Sequence, residues 1–358
     1  MESKKPTIFL TGATGLIGSY LLKILLENNH KIYVLARSKK DKTAKDRVIE
    51  SVKFWDETVL SKNLSNLTVL EGDITQDNLG LDKTSQDILK NEVEEVYHSA
   101  ASVSFNLPFE KISKINVDGA KNLLKTLFEW QQFGKLKKVN HLSTTYVCGD
   151  YEGNFREENL ELGQGFRTAY EKSKFEAERV VNEYRKKGLW MDVFRIPVVG
   201  AESSTGKTPV IQAFSQMLRL WCSELFSVFP GKELELHYIP VDFLSQAIVC
   251  IASHTKIKNQ NYHPFGAQQT PLSIVLDAAS DFLEFKKPRL VRFDELGSFD
   301  LTPSQKMILE VNISFLNRKV SFDSRKTIAV LKENNFEFPE IDKNVLLATL
   351  AYFKDVLK

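Results

Sequence analysis

Cysteine is scarce in this chain, with three among 358 residues. Cys148, Cys222 and Cys250 form no CxxC and leave one thiol over, which excludes a disulfide framework and a cysteine zinc site and fits a reducing compartment. The six histidines are scattered and make no HxxxH, so no metal is expected. Charge of one sign is also missing: 48 basic residues face 46 acidic ones, a net +2 spread along the chain. No field of that kind recruits nucleic acid or an anionic bilayer. No apolar run approaches the eighteen or so residues of a membrane-crossing helix, and the opening "MESKKPTIFL" meets an apolar strand too early for a secretory segment. The expectation is a cytoplasmic protein without a transmembrane segment, with peripheral membrane contact left open because one apolar helix stripe would suffice for it.

No repeat, low-complexity tract or Gly/Ser/Pro-rich linker divides the chain. Its 42% hydrophobic and 26% charged content is that of an ordinary globular protein with one large core, or one and a half smaller ones. Short β-branched runs alternate with helical patterns: "TIFLT" then 15–28, "KIYVLA" then a charged segment, "LTVLEGD", "EVYHSA" then 116–133, "KVNHLST" then 167–187, and "MDVFRI". That succession predicts an α/β fold with a doubly wound, parallel Rossmann sheet over residues 1–200. Helical stretches dominate afterwards (209–227, 241–253, 271–282, 303–316, 341–357). They predict a smaller, mostly helical substrate-binding region over 201–358, with segments of 236–265 free to return to the main sheet.

"IFLTGATGLIGSYLLKILLENN" sets Gly12, Gly15 and Gly18 three apart, between the first strand and the first helix. Gly12 permits the tight turn, Gly15 lets backbone N–H groups approach a pyrophosphate, and Gly18 lets helix pack on strand. Thr14, Leu16 and Ile17 belong to the same cradle. The second strand ends at Ala36 and Arg37, where an acid would favour NAD and an arginine accommodates the 2′-phosphate of NADP. Arg37 therefore points to NADP, while Lys42 and Lys45 read as a solvated basic loop. Asp73, followed by Ile74 after the third strand, can accept the adenine amino group. Ala100 and Ala101 let the cofactor lie close to the backbone.

The fifth strand ends in "HLSTTYVCG", which puts hydroxyls on the same sheet edge as the glycine turn. Tyr170 and Lys174 follow on one face of the next helix, because positions i and i+4 are neighbours there. One such pair among ten tyrosines is an expected coincidence; downstream of this turn and this strand end it is not. Tyrosine ordinarily ionises near pH ~10, and lowering it toward neutrality takes about 3 to 4 kcal/mol. A lysine ammonium about 4 to 5 Å away supplies roughly that amount at an effective dielectric near ~20. Lys174 can also hold the nicotinamide ribose, and Thr144 can hydrogen-bond a substrate oxygen that gains negative charge. His98 and His141, within strands, read as satisfied core histidines.

On "TGATGLIG", "GDIT", "HSAAS", "NVDGAKNLL", "LSTTYV" and "YEKSK", the chain resembles extended short-chain dehydrogenase/reductases. It most resembles their thioester-reductase and fatty acyl-CoA reductase branch, with male-sterility-like domains, through "VYHSAASVSF", "FRIPVVGAESSTG", "HYIPVDFLSQAIV" and "FDSRKTIAVLKENNFEFPE". The resemblance implies Thr144, Tyr170 and Lys174 as the catalytic triad, with Ser143 the weaker hydroxyl candidate, and Pro197 and Val198 against the nicotinamide carboxamide. It implies NADPH as cofactor and reduction of an acyl thioester, carried in trans on CoA or a carrier protein, to aldehyde or alcohol by a monomer or homodimer. No acyl-enzyme is needed, so Cys148 reads as a small core residue.

Three other readings stand beside it. A nucleotide-sugar epimerase or dehydratase is opposed by Arg37 and by Thr145 and Tyr146 where dehydratases carry an Asp-Glu pair. A ketone or aldehyde reductase meets neither objection. A non-catalytic NADP-binding regulator would often have lost the tyrosine or the lysine. Residues 210–229 carry Phe214, Met217, Leu218, Trp221, Leu225 and Phe226 at helical spacing, either to line an acyl channel or to pack the C-terminal region on the sheet.

Overall fold

The apolar runs between the helical patterns become strands of one parallel sheet. The computed structural model describes residues 5–209, 213–254, 257–266, 269–313, 319–338 and 343–356. Its seven-stranded sheet consists of β1 (Ile8–Thr11), β2 (Ile32–Ala36), β3 (Leu67–Glu71), β4 (Glu95–His98), β5 (Lys138–Thr144), β6 (Met191–Ile196) and β7 (Asn261–Tyr262). They lie in the order β3-β2-β1-β4-β5-β6-β7, and every pairing is parallel. Strand order therefore reverses between β1 and β4, and the crevice beyond their C-terminal ends is where sheets of this kind bind ligands. β1, β2, β5 and β6 are buried along their whole length; β1 and β2 read as near-continuous apolar runs, whereas β5 and β6 also bury polar groups such as Asn140, His141, Asp192 and Arg195.

Alternate strand residues face two cores. Ile8, Leu10, Val34 and Phe194 pack with α1 (Leu16–Glu27), α2 (Ala44–Trp55) and the later helix Val241–His254. Phe9, Tyr33, Val96 and Val139 pack against α3 (Gly119–Phe133) and α4 (Ala169–Lys186) on the other face. In the charged stretch after β2, Lys42 lies in the expected exposed loop, whereas Lys45 already belongs to α2. Thr43 accepts from the Asp46 backbone N–H, Asp46 accepts from that of Thr43, and this reciprocal cap starts α2 at Ala44.

The chain after residue 213 builds a third core from residues including Leu218, Trp221, Phe229, Leu272, Leu276 and Leu350. Leu218, Trp221 and Phe226 are buried there and Met217 packs against it, so these residues pack within the C-terminal region itself, neither on the main sheet as the packing reading had it nor along a channel. Leu225 is exposed, and the side chain of Phe214 lies outside the described ones. Between these parts, Tyr238–Pro240 pairs in parallel with Val198–Gly200, and β7 joins the main sheet beside β6.

Candidate active site

Three consecutive structural demands explain the glycine turn. Gly12 has φ +81°, and a Cβ there would stand 2.5 Å from the Ala100 nitrogen. At Gly18 a Cβ would stand 2.2 Å from the Gly12 carbonyl oxygen, so α1 lies directly on the turn. Gly15 precedes α1 as its N-cap without side-chain capping, and a Cβ there would meet only the Gly12 oxygen, at 3.4 Å. The first N–H groups of α1 are thus left to an anion approaching over bare backbone. Leu16 is buried and Ile17 partly so, both in the core, and only their backbone N–H groups can serve that anion.

At the far end of the crevice Arg37 stands at the end of β2, its side chain 62% exposed, and donates to Asp73 at 3.0 Å. The other Asp73 oxygen accepts from the Thr75 backbone N–H and hydroxyl, both at 2.9 Å. Burial pushes the Asp73 carboxyl up, but these bonds and the Arg37 charge outweigh it and hold it below the usual range. Ile74 is buried, and its carbonyl accepts from Asn122 at 3.3 Å. One residue here escaped the sequence reading. Arg47, one turn into α2, donates to the Arg37 carbonyl and, at 3.3 Å, to the Thr14 hydroxyl. The Thr43–Asp46 capping pair was the signal that would have placed it.

The catalytic candidates meet at the C-terminal end of β5. Thr144 is buried; its hydroxyl donates to the Ile196 carbonyl at 3.2 Å, accepts from the Tyr146 N–H at 3.3 Å, and lies near the Tyr170 hydroxyl. Tyr170 is placed by the start of α4, where the Thr168 hydroxyl accepts from the Glu171 N–H and the Glu171 carboxylate accepts from the Arg167 N–H. One turn on, the buried Lys174 ammonium donates to the Leu142 carbonyl at 2.9 Å. Ser143 donates to Glu178 at 2.5 Å, and Glu178 in turn holds the buried Arg195, with 2.8 Å to its Nη2. Ser143 is thus engaged in this network, and Thr144 is the strand-end hydroxyl near Tyr170.

Asn116, in a π-helical turn over Lys114–Asp118, was also not singled out. Its side chain accepts from the Ser102 N–H at 2.7 Å and donates to the Ser102 carbonyl at 3.0 Å and to Ser173 Oγ at 2.9 Å. Ser173 donates to the Tyr170 carbonyl at 2.8 Å, so Asn116 ties the loop after β4 to the turn of α4 that carries Tyr170.

Electrostatics differ from the expectation in one respect. Burial raises the Tyr170 hydroxyl well above its ordinary value; Thr144 opposes this, while the Tyr146 and Glu171 charges add to it. Lys174, directed at the Leu142 carbonyl, does not reverse that shift, and Tyr170 stays firmly protonated. Burial lowers Lys174 to about 8, and the Glu178 charge opposes the fall. His98 is held down to about 3 by burial and by Lys174, and its Nδ1 lies 2.8 Å from the Thr11 hydroxyl. His141 is also held neutral by burial, yet neither of its ring nitrogens has a hydrogen-bond partner among the described residues, contrary to the expected satisfied histidine. Cys148 is buried among Val147, Phe155, Leu160 and Phe175.

Ala100 and Ala101, partly buried, follow β4, and the Ala100 N–H donates to the Thr11 hydroxyl at 3.3 Å. Pro197 and Val198 follow β6 and line a pocket shared with Thr145 and Tyr146. Phe105, Tyr146 and Tyr170 form a ring cluster, with Phe105 5.1 Å from Tyr170.

With this geometry in place, comparison with known proteins is decisive. The family described as Male sterility protein, an NAD-binding domain, matches residues 10–248. The chain belongs to that family. Membership in the male sterility family agrees with the extended dehydrogenase/reductase motifs and makes the cofactor a nicotinamide dinucleotide. A linear gramicidin synthase of Brevibacillus parabrevis is 27% identical over 96% of this chain, which spans 7% of that protein. A carboxylic acid reductase of Segniliparus rugosus is 29% identical over 74% of the chain, with 24% of that protein covered. The chain thus spans a quarter or less of the length of these curated relatives. Among solved structures, the terminal R domain from the myxalamid PKS-NRPS biosynthetic pathway superposes with a TM-score of 0.83 at 26% identity, covering 99% of this chain and 92% of that one.

Proposed function

We propose that this chain is an NADPH-dependent reductase of acyl thioesters, producing an aldehyde or alcohol. The observation that carries the reading is the burial of Thr144, Tyr170 and Lys174 together, on the sheet edge that also carries the uncapped glycine turn. The cradle fits a dinucleotide, because bare backbone at Gly15 and the free N–H groups of α1 suit a pyrophosphate. Gly12, Thr14, Gly15, Leu16 and Ile17 would hold it there, Asp73 and Ile74 would border the adenine, and Ala100, Ala101, Pro197 and Val198 would border the nicotinamide half. Arg37, with Arg47 behind it and no acid at the end of β2, favours the 2′-phosphate of NADP.

Bound NADPH supplies the hydride. Thr144 and Tyr170 orient the acyl carbonyl oxygen and stabilise the charge that develops on it. Tyr170, kept protonated by burial, donates the proton that this oxygen takes up. Lys174 keeps a positive charge close by below about pH 8 and would bind ribose hydroxyls. The hemithioacetal so formed on the substrate breaks its C–S bond, and its hydroxyl proton goes to the departing thiolate, leaving aldehyde and thiol. Two relatives bear the names carboxylic acid reductase and gramicidin synthase, and the superposable structure is a pathway's terminal R domain, which supports an acyl group delivered on CoA or a carrier protein. The region over 201–358 would contribute the substrate side, with Tyr238–Pro240, Val241–His254 and β7 carried by the sheet. No helix among the described residues is long and apolar enough to cross a membrane.

The test is to follow NADPH absorbance and free thiol together on a panel of acyl-CoA thioesters. Thiol release matching NADPH oxidation is expected. Oxidation with aldehydes alone, without thiol from any thioester, would remove the thioester reading.

A further inference from the structure

Beyond Thr144 and Tyr170 the site continues into a pocket whose walls include Tyr146, Pro197, Val198, Leu236, His237 and Phe322. Tyr146 links this pocket to the reacting centre, since its ring stands edge-on to that of Tyr170 with 6.4 Å between centroids. His237 is anchored through its backbone, the carbonyl accepting from the Val198 N–H at 3.2 Å. Its ring meets those of Phe265 at 5.4 Å and Phe322 at 5.1 Å, both edge-on. Phenyl rings offer no conventional hydrogen-bond partner. Both ring nitrogens are buried and have no hydrogen-bond partner among the described residues. Burial holds the imidazole down to about 4, so near neutral pH it carries one N–H donor and one acceptor.

His141 is equally unpartnered, but it sits inside β5 with strands on either side and lines no part of this pocket. His237 is different because it lines the pocket, and a turn of its ring, whose nitrogens are covered in this arrangement, would present one of them to a ligand there. A buried donor and acceptor left unpaired carry a desolvation cost, which a polar group on a ligand relieves and an alkyl chain does not.

We propose that His237 is a specificity-determining residue that hydrogen-bonds the acyl group. The preferred substrates are then acyl thioesters bearing a hydroxyl or amide within the first few carbons of the reacting carbonyl, in place of unsubstituted alkyl chains. This rests on the thioester reading above and adds the substrate class to it. A pocket that satisfies a polar substituent discriminates against its apolar analogue more sharply than an apolar pocket discriminates one methylene.

The experiment compares kcat/KM for matched pantetheine thioesters: butyryl with 3-hydroxybutyryl, and pentanoyl with N-acetylglycyl. The polar member of at least one pair should be preferred about tenfold or more by the unaltered protein. His237→Leu should bring that ratio close to one while NADPH binding is retained, and His237→Gln should restore part of the preference. His237→Phe, which suits the aromatic surroundings, serves if the leucine variant does not fold. Equal rates within both pairs in the unaltered protein would overturn the proposal, as would an unchanged preference in a folded His237→Leu or His237→Phe variant. If thioesters are not reduced but aldehydes are, the thioester reading fails by itself. The pair 3-hydroxybutanal and butanal then applies the same ratio test to His237.

Discussion

The two ends of the cofactor crevice are built differently. At the Tyr170 end, Thr144, Tyr170, Lys174, Glu178 and Arg195 are all buried, and each has a defined partner. At the Arg37 end the guanidinium is 62% exposed and meets Asp73 beside solvent. Desolvated groups gain or lose several kcal/mol with a partner, whereas an exposed ion pair contributes about 0.2–1 kcal/mol. On the proposed function, chemistry would be decided at the buried end, and the exposed end would adjust which dinucleotide is taken.

The comparison breaks most visibly at the proton donor. Tyr170→Phe should lower kcat by about 10²–10⁴-fold and leave NADPH affinity nearly unchanged, as read by steady-state rates and fluorescence titration. A loss under tenfold would mean that the proton comes from elsewhere. Next is the charge network behind it. Glu178→Ala leaves Arg195 buried and unpaired and should cost about 3–5 kcal/mol in urea unfolding. Glu50→Ala, which removes the exposed partner of Lys42, should cost under about 1 kcal/mol. Similar losses in the two variants would erase the distinction between the ends.

Acidity gives a third contrast. Lys174 loses its proton at about 8 in the folded chain, against an ordinary 10.5. Turnover should therefore decline as pH rises through about 8. The unfolded chain holds this proton up to its ordinary value, so it binds more protons than the folded chain between about 8 and 10.5. Across that window the lysine's contribution makes stability rise with pH, from a burial penalty that is full below about 8. Glu178→Gln removes the charge that supports the ammonium and should move the decline in turnover to lower pH. A decline that stays in place would separate Glu178 from Lys174. The smallest effect belongs to the exposed end: Arg37→Ala should remove most of the preference for NADPH over NADH, about tenfold, with kcat on saturating NADPH little changed. Equal affinity of the unaltered protein for both dinucleotides would overturn the assignment to NADP.

What was legible in the sequence was what is encoded locally. Gly12, Gly15 and Gly18 announce a tight turn by spacing between one strand and one helix, and Tyr170 and Lys174 a shared helix face by a single helical turn. The parallel sheet followed from repeated strand-helix alternation. Contacts made across the fold were not legible. Arg47 acquires its role by facing back across α2 to Thr14, Glu178 by meeting Ser143 and Arg195 on two strands, and Asn116 by a π-helical turn that no period announces. Spacing alone also misjudged the Tyr170 environment. It puts a lysine near the tyrosine but says nothing of burial, which here outweighs other influences and keeps the hydroxyl protonated.

The central claim is that one constellation, Thr144, Tyr170 and Lys174, reduces the carbonyl of an acyl thioester. The most direct measurement mixes purified protein, NADPH and a series of acyl pantetheine thioesters, and records NADPH loss and free thiol in the same cuvette. One thiol released for each first NADPH oxidised, abolished together by Tyr170→Phe, is the predicted result. NADPH oxidised without thiol, or thiol released at an unchanged rate by Tyr170→Phe, would contradict it.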